Sequence, residues 1–330
     1  MTLNRRAFTS GATAFAALAG TAWSPSLFAQ NYPSGTARVI VPYPPGAATD
    51  NLARLMAQNL QQSLGTNFIV ENRSGGGTQI GTKAIAASAS DGLTVGFIDT
   101  AFVINPGLFG AALPYDTQKD FVPISLMATA PLVLIVHSSV QASDIKQFLA
   151  LAKSQAGKLN YGSAGVGSAP HLAGEQLRNA AAIEVNHVPY RGGSTVLNDL
   201  IAGHIQFGFT TVPTMIEHIR NGTVRALAVT GSTRAAQLPQ VPTMAEAGLP
   251  AVDATPLFGL VAPAKFPKVF LDKIAAAAGT PVRTGPLNAK LKEMGFIPVG
   301  STPDQFKARI ESEIKKWSAV IKAGNIKPNA

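Results

Sequence analysis

The chain has 330 residues, 46% hydrophobic and 14% charged, with a formal net charge of +9 and no cysteine. A chain of this kind buries one or two full cores, which excludes disorder, and the lack of cysteine excludes disulfides, thiolate chemistry and cysteine-ligated zinc. Its 27 Lys and Arg are scattered instead of gathered into a stripe with aromatic platforms, so nucleic acid is not expected as a partner, although the mean positive field favours anions.

Residues 1–29 read as an export signal. Arg5 and Arg6 precede an apolar run from about Gly11 to Trp23, and small residues lead to a cut after Ala29. The run is too short for a membrane span. A twin-arginine and a Sec signal both fit it. Cleavage would leave 9 − 2 = +7 on the mature chain, and a periplasmic location is expected.

Residues 38–41 form a short apolar run, and Pro42, Pro44, Pro45 and Gly46 forbid its continuation. Leu52, Leu55, Met56 and Leu60 then recur at helical spacing, with Thr49 or Asp50 placed to cap the first turn. A helix start of this kind attracts an anion through its dipole and free amides. The same grammar of strand, small-residue turn and helix returns over 158–178 and 185–201. Three such loops suggest one shared anionic ligand.

Further strands are predicted over 67–71 and 94–98, so three βα units point to an open parallel sheet. Residues 105–120 are rich in turn formers and read as an irregular connection. The apolar run 124–136 has Pro131 in its middle, which predicts two strands or a strand crossing between lobes. A helix over 143–153, capped by Ser143, opens a second α/β unit. It has strands over 158–161, 184–188, 205–209 and 224–229, and helices near 169–178, 194–202 and 213–220. The chain returns at 257–261 and adds helices over 267–278, 283–294 and 303–322 around a short strand at 296–299. Two crossovers leave a hinge and a cleft, and in such sheets a ligand lies off the carboxyl ends of the strands.

Catalytic motifs are missing. Histidines 137, 171, 187, 204 and 218 lack the spacing of a helical zinc pair. There is no Gly-x-Ser-x-Gly elbow and no Gly-Lys-Ser/Thr phosphate loop, and Gly165 to Pro170 only imitates a dinucleotide fingerprint. No catalytic residue, metal or cofactor is assigned, and binding without chemistry is the simpler reading.

The runs VPYPPGAATDNLAR, VENRSGGGTQIG, INPGLF, LPYD, KDFVPISL, LNYGSAGVGSAPHLAGE, HVPYRGG, LAVTGSTR, VPTMAEAGLP, FGLVAPA and VGSTPDQF, in this order, closely resemble the substrate-binding proteins of tripartite tricarboxylate transporters, the Bug family. The resemblance covers essentially the whole mature chain. It implies an α/β, two-lobed periplasmic binding protein fold (type II-like), each lobe a sheet flanked by helices and joined by two crossovers. Lobe 1 would be 30–130 plus 253–330 and lobe 2 would be 131–252. The implied function is capture of a small organic carboxylate in the interlobe cleft, by a monomer, for delivery to membrane permease subunits.

In the family a ligand carboxylate is held mainly by backbone N–H groups and ordered water from two facing loops. On this chain they correspond to Pro45 through Asp50 and Ser163 through Ser168. The expected site is therefore Gly46, Ala47, Ala48, Thr49, Asp50, Ser163, Gly165, Val166 and Ser168, with Tyr43, Pro189 and Tyr190 packed around it. Ala47 replaces the family's second glycine, Thr210 an aspartate, Phe102 a histidine and Leu257 a tryptophan. Thr210 offers no carboxylate to an ammonium, and Phe102, Phe209 and Phe258 could add flat apolar surface. These substitutions favour an ammonium-free aromatic mono- or dicarboxylate such as terephthalate. An aliphatic di- or tricarboxylate is the alternative, and an enzyme acting on a carboxylate a further one.

Overall fold

The computed structural model describes residues 35–328. The export signal expected over 1–29 lies outside them. The first sheet contains β1 (Ala37–Val41), β2 (Phe68–Asn72), β3 (Thr94–Asp99), β4 (Phe121–Thr129), β10 (Leu257–Pro263) and β11 (Ile297–Pro298), in the order β11-β4-β10-β3-β1-β2. The second contains β5 (Leu132–His137), β6 (Asn160–Ser163), β7 (Asn186–Pro189), β8 (Phe207–Thr211) and β9 (Val224–Val229), in the order β7-β6-β8-β5-β9. The fold is α/β and two-lobed, each sheet flanked by helices.

The sheets are mixed rather than parallel. β1 runs parallel to β2 and β3, and β6 parallel to β7 and β8. The strand that follows each crossover runs the other way: β10 is antiparallel to β3 and β4, and β5 to β8 and β9. Only Ala130 and Pro131 separate β4 from β5. Thus Pro131 falls between strands, where its missing N–H costs no ladder bond. Inside the sheets, β5 and β10 are nearly continuous buried runs, as strands covered on both faces must be.

The helices are α1 (Ala48–Leu64), α2 (Gln79–Ala86), α3 (Ala101–Phe109), α4 (Ile145–Ser154), α5 (Ala169–Ala181), α6 (Gly193–Ile201), α7 (Val212–Arg220), α8 (Lys268–Arg283), α9 (Pro286–Glu293) and α10 (Pro303–Ala323). α10 starts with a capping box between Thr302 and Gln305 and buries Phe306 and Trp317.

Three expectations fail locally. Residues 105–109 belong to α3 instead of an irregular connection. Pro106 cannot donate to the Phe102 carbonyl, but the Thr117 hydroxyl donates there instead at 3.4 Å. The cap of α4 is Asp144, which accepts the Gln147 N–H at 2.9 Å, while Ser143 binds the Gln147 side chain. In the second lobe β6, β7 and β8 each reach further into the small-residue segments than apolar content indicates, so Ser163 and Thr210 are strand residues. Among the described residues no helix is long and apolar enough to cross a membrane.

Candidate functional site

A narrow cavity of about 50 Å³ lies between the two sheets, on the scale of a few water molecules. Its first wall is the β1–α1 turn, contributing Tyr43, Ala47, Ala48 and Thr49, with Asp99 at the end of β3. Its second wall comes from the other lobe through Ala164, Ala169, Pro170, Gly193, Thr210, Thr211 and Thr214. Leu132, Pro256 and Phe258 close the side near the crossovers.

Four helices begin on this cavity. α1 starts at Ala48, α5 at Ala169, α6 at Gly193 and α7 at Val212, next to Thr211. The first-turn N–H groups of a helix have no intrahelical acceptor, and each dipole places partial positive charge at its N-terminus. Ala47, Gly192 and Thr211, the N-caps of α1, α6 and α7, make no side-chain capping bond. No lysine, arginine or histidine lines the cavity. An anion here would be held by backbone amides and dipoles, worth about 0.3 to 2 kcal/mol per helix end before direct hydrogen bonds.

The β1–α1 turn is built from its own residues. Gly46 takes φ +98°, a conformation open to glycine at little cost. Thr49 and Asp50 do not cap α1. Asp50 is turned away from the cavity, accepting from Gly46 N at 3.0 Å, Arg54 Nε at 2.9 Å and Asn72 Nδ2 at 2.8 Å. Burial pushes its carboxyl up, but the bonds from Arg54, Asn72 and Gly46 outweigh burial and hold it below the ordinary value.

The β6–α5 turn is occupied by its own support. Ser163 is fully buried, its Oγ 2.7 Å from His187 Nε2 and accepting the Gly165 N–H at 3.2 Å. Ser168 donates to the Gly165 carbonyl at 2.6 Å and caps α5 through the His171 N–H. The rings of His171 and His187 stack at 4.3 Å. Gly167 N–H donates to His171 Nδ1 at 3.3 Å, which places the neutral ring's proton on Nε2. Burial, then His187 and Arg178, push His171 down to about 3.

Of the expected residues, Tyr43, Ala47, Ala48, Thr49 and Thr210 line the cavity. Gly46, Asp50, Ser163 and Ser168 brace its turns. Gly165, Val166, Pro189 and Tyr190 line a separate cavity of about 310 Å³ across the seam between the lobes, with Gly75 to Gly77 and Arg191. The Tyr190 hydroxyl donates to Asp199 at 2.6 Å. Phe102 and Phe209 are core residues, 2% and 1% exposed, and Phe102 meets Phe121 edge-on at 4.9 Å. Flat apolar surface at the cavity is left to Phe258 and Tyr43.

Asp99 went unnoticed in the sequence. Its position at the carboxyl end of a parallel strand was the available signal, and it brings to the cavity a carboxylate that Thr210 does not supply. Asp99 Oδ1 accepts the Ala101 N–H at 3.0 Å. Burial lifts its carboxyl to about 6, against the Ala101 N–H and the neighbouring Tyr43 hydroxyl, which favour the charged form. Tyr43 is 4% exposed, and its hydroxyl meets no partner within hydrogen-bond distance among the described residues.

The lobes approach closely around this cavity. A Cβ on Gly77 would lie 2.6 Å from the Val166 carbonyl oxygen, one on Gly167 2.5 Å from Asn105 Oδ1, and one on Gly192 2.6 Å from Pro44 Cδ. No group of three or more His, Asp or Glu suited to a metal ion occurs among the described residues.

The profile described as the tripartite tricarboxylate transporter family receptor matches residues 52–326. BugT of Bordetella pertussis (strain Tohama I) is 35% identical over 297 residues, spanning 89% of this chain and 90% of BugT. A solved periplasmic transporter is 35% identical with a TM-score of 0.87, covering 90% of this chain and 99% of that one. An R. palustris protein solved with adipate is 29% identical, also with a TM-score of 0.87 and with the same coverage. The chain therefore belongs to the family of tripartite tricarboxylate transporter receptors, the Bug family of substrate-binding proteins.

Proposed function

We propose that the protein is a periplasmic solute-binding protein, with lobes 30–130 plus 253–330 and 131–252. It captures a small organic carboxylate between them and delivers it to the permease subunits of a tripartite tricarboxylate transporter. The observation that carries this reading is the convergence of four helix N-termini, from both lobes, on one cavity without a basic side chain. A micromolar Kd requires about 8 kcal/mol. Two or three charge-assisted hydrogen bonds at about 1.5 to 3 kcal/mol each, with the dipoles and apolar burial on Phe258, reach that range. The adipate of the R. palustris relative is a carboxylate of this class.

Terephthalate and other aromatic acids belong in the test, but the aromatic preference now rests on Tyr43 and Phe258 alone. The enzymatic alternative draws on the Ser163–His187 pair, yet Ser163 is fully buried and off the cavity. Isothermal titration of the purified mature protein with terephthalate, benzoate, adipate, citrate and glutamate, followed by recovery of each acid, is the test. Saturable binding with the acid recovered unchanged is expected. Product formation would end the binding-only reading, and no binding by any acid would end the proposal.

A further inference from the structure

Asp99 and the Tyr43 hydroxyl sit together on a cavity otherwise suited to negative charge. A buried hydroxyl without a partner is costly unless a ligand group completes it. Asp99 accepts one bond at hydrogen-bond distance, from Ala101, while the Tyr43 hydroxyl interacts with it from beyond that distance, so acceptor capacity is left. The pair thus offers an acceptor and a donor side by side. An ammonium would satisfy Asp99 but would lie among helix N-termini of its own sign. A second ionised carboxylate would meet Asp99 as a like charge. A neutral O–H group meets both conditions, donating to Asp99 and accepting from Tyr43.

Resting on the carboxylate-binding reading above, we infer that Asp99 with Tyr43 is a specificity-determining pair that receives a neutral O–H group of the ligand. That group is the hydroxyl of a hydroxy acid or the protonated second carboxyl of a diacid. The titratable neighbours of Asp99 are Tyr43 and Tyr115, and both phenols are pushed up by burial first. Neither ionises near neutrality, so proton exchange in this corner belongs to Asp99 and the ligand. A diacid must then bring or take up one proton, shared between two carboxyls.

The test is isothermal titration of wild type, Asp99→Asn and Tyr43→Phe with butyrate, 4-hydroxybutyrate, succinate, adipate and glutamate between pH 8 and 6.5. Wild type should bind 4-hydroxybutyrate several-fold more tightly than butyrate. Its affinity for the diacids should rise about tenfold per pH unit as pH falls, the signature of one proton taken up. Asp99→Asn keeps an oxygen for the Ala101 N–H and should flatten the pH dependence while strengthening diacid binding at pH 8. Tyr43→Phe removes one oxygen and should reduce the preference for 4-hydroxybutyrate, giving an independent reading if the other variant folds poorly. Unchanged rank and pH dependence in both variants, or glutamate as the tightest ligand of wild type, would overturn the inference while leaving carboxylate binding intact. Failure of every acid to bind wild type at any pH would overturn both.

Discussion

The β1–α1 and β6–α5 turns share one sequence grammar, yet they meet the cavity in different ways. The first presents an uncapped helix start, because its one acidic residue reaches back to brace Gly46. In the second, Ser163, Ser168 and His171 spend their hydrogen bonds inside the loop, and only Ala164, Ala169 and Pro170 line the cavity. A turn rich in glycine and serine thus has amides to offer an anion only where its own polar side chains leave them free.

The largest expected difference between the two turns is in acid. His171 has a folded-state value near 3, below its ordinary 6.5, so the unfolded chain binds the extra proton. Its contribution to stability is present above pH 6.5 and is lost as pH falls toward 3, up to about 4 kcal/mol. Asp50 is also depressed, so its contribution is lost only below its ordinary 3.8. Urea melts from pH 7 to 3 should therefore lose stability first between pH 6 and 4. His171→Asn, whose Oδ1 can accept the Gly167 N–H, should flatten that limb and leave the loss below pH 4.

Placing a negative charge in the first turn comes next. Ala48→Asp faces the cavity at the α1 start and should weaken carboxylate binding by about 100-fold or more, close to 3 kcal/mol, by titration calorimetry. The wild-type melting temperature should be nearly retained. In the second turn the effect should invert. Ser168→Ala removes the cap of α5 and should cost about 1 kcal/mol of stability in urea melts, with affinity within about threefold of wild type. Smallest of all, Thr210→Val keeps shape and removes a single hydroxyl from the cavity, and a neutral hydrogen bond of about 1 kcal/mol sets a loss near fivefold.

The order of strands and helices and the crossover at Pro131 were legible because apolar runs and prolines report burial and chain reversal directly. What was not legible depended on partners distant in sequence. Gly162 and Ser163 look like loop, but β8 lies beside Gly162 and makes them strand. Phe102 looked like a cavity wall until Phe121 was found against it. Asp99 carried no local motif, and its surroundings come from Tyr43, fifty-six positions earlier, and from the α1 start on the same wall of the cavity.

The glycine contacts along the seam have a kinetic consequence. With Gly77 against the Val166 carbonyl and Gly192 against Pro44, the two lobes touch at these two points of the seam. Parting the lobes breaks these contacts, so the opening motion should contribute to how long a ligand held between them stays. Two acids of equal affinity should leave at rates set by the same opening motion. A membrane partner that prises the lobes apart would release either one.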